Sequence, residues 1–368
     1  MPWSLTVRSP ETRVISPLAE LLLILILFCA SASASNAQVW QAEHSGVTDS
    51  LMNVKAVNAS VVWACGSGGS VLRTVDGGVQ WQKCFIPLKG FDNVCIEPRS
   101  SSTAWVASID AATGTDFRIF KTTDGGRMWH EVFRIEHTFG DAVRFFDSKH
   151  AIALGDPFPG DYFNVYTTSD GGSSWHRVGR KYLPPADSAE SEFGVTACLD
   201  LHGKNAWFAT ASQKPGFHPR VYHSTDMGET WTSSAPIRGL SGIAVSLDFK
   251  DANHGVVVDN LGGRWAETMD GGVKWTVHDT GDSLWLRDIR FVPGSKSLII
   301  AGGEVDSGYV LRLVHGSKTW KKLPLPAGTG RIRSVTFASP TGCWIVGGGG
   351  EILKWTGGSL AGEKQNGK

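Results

Sequence analysis

One eight-residue phrase recurs along the chain, and its spacing constrains the fold more than any other feature. The cleanest copy reads Thr122, Thr123, Asp124, Gly125, Gly126, Arg127, Met128, Trp129. The pattern Ser/Thr-x-Asp-x-Gly-x-x-Trp returns at residues 74–81, 168–175, 224–231 and 268–275. Each position has a physical task. The Asp carboxylate accepts backbone N–H groups of its own turn. The Gly supplies a positive φ that a Cβ would resist. The Trp enters the following strand as a large apolar anchor. The structural pairs are therefore Asp76 with Trp81, Asp124 with Trp129, Asp170 with Trp175, Asp226 with Trp231, and Asp270 with Trp275.

Successive anchors stand 48, 46, 56 and 44 residues apart. A period of that length, with short apolar runs and no helical periodicity, predicts a β-propeller. Two worn copies follow the five clear ones. Residues 310–320 align with 71–81, with His315 in place of Asp76, and residues 352–358 align with the start of the same stretch. The missing strand lies at the other end, where Val39-Trp40-Gln41 resembles Gln80-Trp81-Gln82. The expectation is an all-β, seven-bladed β-propeller whose N-terminal strand closes the last blade and so removes a free sheet edge. It spans residues 38–358, followed by a disordered tail at 359–368.

The phrase around Asp124 resembles the Asp-box, or BNR, repeats of sialidases, sortilin-type receptors and related propellers. The fuller unit has an aromatic in strand one, small residues in strand two, then the T-x-D-G-G-x-x-W turn. That unit is similar to the photosystem II stability/assembly-factor family, over roughly residues 38–358. The resemblance implies a non-enzymatic propeller that holds a segment of a membrane protein on an arginine-rich face. No photosystem role follows from the residues themselves, because fold does not imply function.

Lys plus Arg equals Asp plus Glu at 35 each, so no basic excess points to nucleic acid. Residues 1–37 read as a secretory signal. Arg8 and Arg13 precede an apolar run at 21–28, and small residues follow, with cleavage after Ala34 or Ala37. The apolar run is shorter than the roughly 20 residues of a spanning helix, so no membrane span is expected after cleavage. The expected location is periplasmic or secreted, and the expected state a monomer. Cys65, Cys84, Cys95, Cys198 and Cys343 sit inside strand patterns without a CxxC pair, which reads as buried thiols. A Cys84–Cys95 bridge stays open as the alternative.

Strands two and four return to the face from which strand one starts. The two-to-three loops and the four-to-one links therefore share one face, here called the loop face. The Asp turns join strands three and four on the opposite, turn face. Four two-to-three insertions, at residues 111–118, 155–163, 211–220 and 302–309, and the link at 180–193 all fall on the loop face. Function concentrates in loops on a rigid scaffold. Among the polar residues there, Arg118, Asp156, Arg220, Arg264 and Glu304 are the candidate binding set, read against ordinary solvated loop positions. Asp116, Asp161, Tyr162, His218 and Asp306 share these loops, Asp259 sits with Arg264 in the shorter fifth loop, and Arg287 and Arg331 flank the starts of the last two strands one. Lys55, Arg144, Asp200, Asp248 and Arg290 stand at mid-strand positions and alternate in sign, which reads as pairing between blades.

Guanidinium groups suit a carboxylate or acidic peptide. The expected partner is a protein or peptide of the cell envelope, with carbohydrate as the other candidate ligand. A sialidase-like or other glycoside hydrolase is the alternative function. It lacks an assignable Tyr–Glu pair, and Phe117-Arg118-Ile119-Phe120 lacks the proline of the sialidase phrase. No catalytic residue, cofactor or metal is assigned: the histidines are scattered, and residues 347–350 form a glycine-rich bend with no helix after it.

Overall fold

The computed structural model describes residues 39–362, apart from 158–160, 187–191, 196–197 and 213. The secretory signal assigned to residues 1–37 lies outside them, as do residues 363–368 of the tail.

The units fold as anticipated, into seven antiparallel four-stranded sheets that form the blades of a β-propeller. Blade one runs Leu51–Ala56, Val62–Gly66, Ser70–Thr74 and Gln82–Phe85. Strand two of a blade is packed between its neighbours, so Val62–Gly66 is buried throughout. Strand four is the rim, and of Gln82–Phe85 only Cys84 is buried. That contrast is why strand two reads small and apolar and strand four reads polar.

Blade seven joins the chain ends. Ile332–Ser339, Gly342–Gly347 and Ile352–Trp355 pair in order, and Trp40–Glu43 adds the outer strand. Trp40 lies opposite Trp355, with ring centroids 5.1 Å apart in an edge contact. Trp40 is fully buried. Glu43, at the other end of the strand, accepts the Trp81 indole N–H at 2.9 Å, which ties the closing strand to the turn of blade one.

The repeated turns all use one hydrogen-bond scheme. In the second blade, Thr122 Oγ1 donates to Asp124 Oδ1 and accepts from Gly126 N. Asp124 Oδ1 also accepts the backbone N–H groups of Arg127 and Met128, each at 3.0 Å. Gly126 has φ +84 and lies against Cys84 and Trp63 of the preceding blade, so both the backbone and the packing require glycine. Bonds from backbone N–H groups hold the Asp124 carboxyl below its ordinary pKa.

A second device crosses the joints between blades. A cation near the end of strand three reaches a carbonyl of the next blade: Arg73 to Ser101 at 2.7 Å, Lys121 to Gly171 at 3.1 Å, and Lys354 to Gly77 at 2.6 Å. In blade six Arg312 donates instead to Leu360 O at 2.8 Å. Leu360 is fully buried, and Ser297 donates to Ala361 O. Residues 359–362, expected as the start of a disordered tail, thus pack against blade six, where they satisfy that arginine.

Two further expectations need correction. The insertion at 302–309 is no long loop: strand two (Leu298–Glu304) and strand three (Ser307–Leu313) continue the ladder to Glu304↔Ser307, leaving a two-residue turn. Likewise Asp116 and Arg118 belong to the strand Asp116–Thr122. All five cysteines of the described chain are free and buried, so no Cys84–Cys95 bridge forms.

Candidate functional site

The loop-face end of the axis is shaped by a repeated irregularity. Strand one carries a register shift near its start in blades one, two, three, five, six and seven. The extra residues are Met52, Val94, Asp141, Val245, Arg287 and Arg333. A bulge re-aims one side chain out of the ladder. Met52, Val94, Val245, Arg287 and Arg333 accordingly line one cavity of about 310 Å³, together with Ile109, Phe139, Val195 and Asp92. Apolar side chains form most of this funnel, and two arginines from adjacent blades form the remaining wall.

The arginines are short of partners. Arg287, Arg331 and Arg333 each have a buried Nε without a hydrogen-bond partner. None of the three enters an ion pair among the described residues. Burial, with Arg331 and Arg333 as like charges, pulls the Arg287 guanidinium down to about 10. Burial and Arg331 also lower Arg333, while Asp92 works the other way. Arg287 lies 5.8 Å from the ring centre of half-exposed Trp285, beside the shallow recess that Arg331 and Glu304 line. A concentrated, partly desolvated positive charge, offset only in part by Asp92, over an apolar funnel is an anion receptor of the kind carboxylates fit.

Deeper along the axis each blade supplies one mid-strand residue: Lys55, Glu97, Arg144, Asp200, Asp248, Arg290 and Thr336. Arg144 bridges Glu97 at 3.6 Å and Asp200 at 3.1 Å. Arg290 pairs with Asp288 at 3.0 Å and Asp248 at 3.8 Å. The pairing between blades is as expected, but the alternation of sign breaks at the neighbouring acids Asp200 and Asp248. Burial and Asp200 together push Asp248 up to about 7. Burial pushes Lys55 down to about 8, with Arg144 and Arg290 adding to the effect.

The candidate residues named from sequence are dispersed. Arg118 is held by Asp116 at 2.7 Å and Glu131 at 3.2 Å, over the Phe91 ring. Arg220 is spent on Glu192, the Pro185 carbonyl and the Tyr222 hydroxyl, fastening the long link onto blade four. Arg264 donates to Gly239 O at 2.7 Å. None of these three lines the funnel. Asp156 accepts Gly194 N at 2.6 Å beside Asp141, whose two oxygens are buried without partners. Burial pushes Asp156 up to about 7, and burial plus Asp156 puts Asp141 well above the usual carboxylate range. Glu304 stands exposed at the hairpin end of blade six, and Asp156 follows strand two of blade three. Asp156 and Glu304 thus stand on different blades, three and six.

Arg333 escaped the sequence reading, and Arg287 and Arg331 entered it only as flanking residues. A signal was present: Leu286-Arg287-Asp288 and Ile332-Arg333-Ser334 occupy the same register in consecutive blades.

No family model matches this chain. The photosystem II assembly protein Ycf48 of Thermosynechococcus vestitus is 24% identical over 136 residues, 36% of this chain. The match spans 38% of that protein's length. The solved structure of YCF48 bound to D1 peptide superposes with a TM-score of 0.66 at 17% identity, over 87% of this chain and 97% of that one. A GH74 enzyme from Niastella koreensis gives a TM-score of 0.62 at 14% identity, over 86% of this chain but only 53% of the enzyme. The chain is thus similar to the assembly factor in sequence and shares the propeller fold with both structures.

Proposed function

We propose that this chain is a non-enzymatic, protein-binding propeller, an assembly or stability factor that receives an extended acidic segment or a chain's C-terminal carboxylate at the loop-face funnel. The observation that carries this reading is the unpaired cluster Arg287, Arg331 and Arg333 set against the apolar wall of Met52, Val94 and Val245. The carboxylate neutralises the arginines, and apolar side chains of the segment fill the funnel. The YCF48 structure bound to a peptide supports this use of the scaffold. The N-terminal signal read in the sequence supports export, with a partner in the cell envelope. A glycoside hydrolase reading draws less support, because Asp156 and Glu304 belong to separate blades and Asp156 is engaged by Gly194.

The test is binding of a peptide panel with free and amidated C-termini, by fluorescence polarisation. Free-acid peptides should bind, and amidation or acid-to-amide changes should weaken them. Each charged hydrogen bond lost is worth about 1.5–3 kcal/mol, roughly tenfold or more in Kd. The Arg287→Ala, Arg331→Ala, Arg333→Ala variant should lose binding without melting lower, since it relieves like-charge repulsion. Equal binding by that variant, or turnover of a glycoside panel, defeats the proposal.

A further inference from the structure

The hairpin of blade six stands beside the arginine cluster. Its turn, Val305 and Asp306, is fastened to the link that leads into blade seven: Gly308 N donates to Thr329 O at 2.9 Å, and Arg331 N donates to Val305 O at 3.3 Å. Gly308 is glycine because a Cβ there would meet Gly330 O. Beside this junction lies a shallow recess of about 410 Å³, lined by Trp285, Glu304, Val305, Asp306, Ser307 and Arg331.

The recess shares a wall with the funnel. Arg287 lines the funnel and lies 5.8 Å from the centre of the Trp285 ring, which lines the recess. Arg331 lines the recess, and its charge helps to lower the pKa of both Arg287 and Arg333. Two features set the recess apart. Its apolar surface is open to solvent, with Trp285 40% and Val305 70% exposed. Its added charge is of the opposite sign: Glu304 and Asp306 are exposed, and neither enters an ion pair among the described residues. Two carboxylates stand against one guanidinium, and that guanidinium belongs to the cluster that takes the anion. A carboxylate bound at Arg331 leaves both acids unbalanced beside a further negative charge.

We infer that the recess selects a basic side chain, lysine or arginine, in the segment whose carboxylate the funnel holds. The inference rests on the funnel reading and adds the residue class that accompanies the carboxylate. An extended chain advances about 3.3–3.6 Å per residue, so the side chain that reaches Trp285 from the arginines stands about two to three residues before the carboxylate. Its aliphatic stem covers Val305, and its cation lies against the exposed part of the Trp285 ring, whose π face is negative. Glu304 and Asp306 pair with that cation, which offsets their repulsion of the carboxylate. A neutral apolar side chain covers Trp285 and Val305 but leaves both acids unbalanced, and an acidic one adds to the repulsion.

The test is fluorescence polarisation with the purified full-length chain. The probes are free-acid peptides, neutral elsewhere, that carry lysine, norleucine or glutamate at each of the second to fifth positions from the C-terminus, together with their amidated counterparts. At one position the order of affinity should be lysine, norleucine, glutamate. Lysine should bind about threefold to tenfold tighter than norleucine, the value of partly exposed ion pairs, and added salt should narrow that ratio. In Glu304→Gln/Asp306→Asn the lysine and norleucine peptides should bind alike. Glu304→Lys/Asp306→Lys should prefer glutamate. Both variants should melt with the wild type, since the two acids are exposed and unpaired. Equal affinity for lysine, norleucine and glutamate at every position overturns the inference and leaves the funnel reading standing. A lysine preference that survives in Glu304→Gln/Asp306→Asn overturns it too. If no free-acid peptide binds, or amidation changes nothing, the funnel reading fails and this inference falls with it.

Discussion

Two residues show how differently a carboxylate behaves in this fold. Asp124 is exposed, accepts two backbone N–H groups of its turn, and stays ionised. Asp124→Ala should destabilise the protein by about 0.5–2 kcal/mol, by analogy with loss of a helix N-cap. Its anchor Trp129 is buried edge-on against Trp63, and Trp129→Ala should cost about 3–5 kcal/mol, so thermal melts should rank the two variants in that order. Asp156 is the opposite case. Its folded pKa of about 7 lies above the ordinary 3.8, so between those values the folded state holds a proton that the unfolded chain releases. Its contribution is therefore most favourable at low pH and is lost as pH rises from about 4 through 7. Asp156→Asn retains the acceptor for Gly194 N and removes that loss. Wild type and variant should melt together near pH 4, and the variant should melt higher at pH 8. Parallel melting curves across this range would contradict the assignment. Gly194 is glycine for the same reason, since a Cβ there would collide with the Asp141 carboxylate.

At the scale of the element, the strand Trp40–Glu43 does more than its four residues suggest. It supplies the outer edge of blade seven, buries Trp40 against Trp355, and gives Trp81 its acceptor. Removing residues 39–43 exposes the edge of Ile352–Trp355 and leaves the Trp81 N–H without its carboxylate. The truncated protein should melt markedly lower and associate through the bare edge, which size-exclusion chromatography reads directly. A melting temperature equal to that of the intact chain would mean the ring closes without it. The strand-one bulge is the other element with consequences. One extra residue in each of six blades re-aims a side chain, and five of the six form the wall of a funnel, so much of the chemistry of the mouth is written in those five.

For the whole molecule, the two faces are built for different tasks because the connections divide that way. The turn face is tightened by the Asp turns and by the inter-blade cations. The loop face carries the longer connections and the mouth of the axis, where desolvated arginines are held close together at a cost in stability. Such sites trade stability for binding. The charged plug of Lys55, Glu97, Arg144, Asp200, Asp248 and Arg290 lies further along the same strands.

What the sequence determined by itself was local and repeated. The Asp turn, its glycine and its Trp are satisfied within one hairpin, so they are legible in eight residues, and their period counts the blades. The closing strand was legible too, because Val39-Trp40-Gln41 is a displaced copy of a strand the chain uses elsewhere. Which arginines are free could be decided only in three dimensions. Arg118, Arg220 and Arg264 look as available in sequence as Arg287, Arg331 and Arg333, yet the first three meet acids or carbonyls while the last three meet one another. Asp116 lies two residues from Arg118, but Glu192 and Gly239 are 28 and 25 residues from the arginines they satisfy. Partners of a charge are set by how blades close around an axis, and no local pattern in a strand encodes that closure.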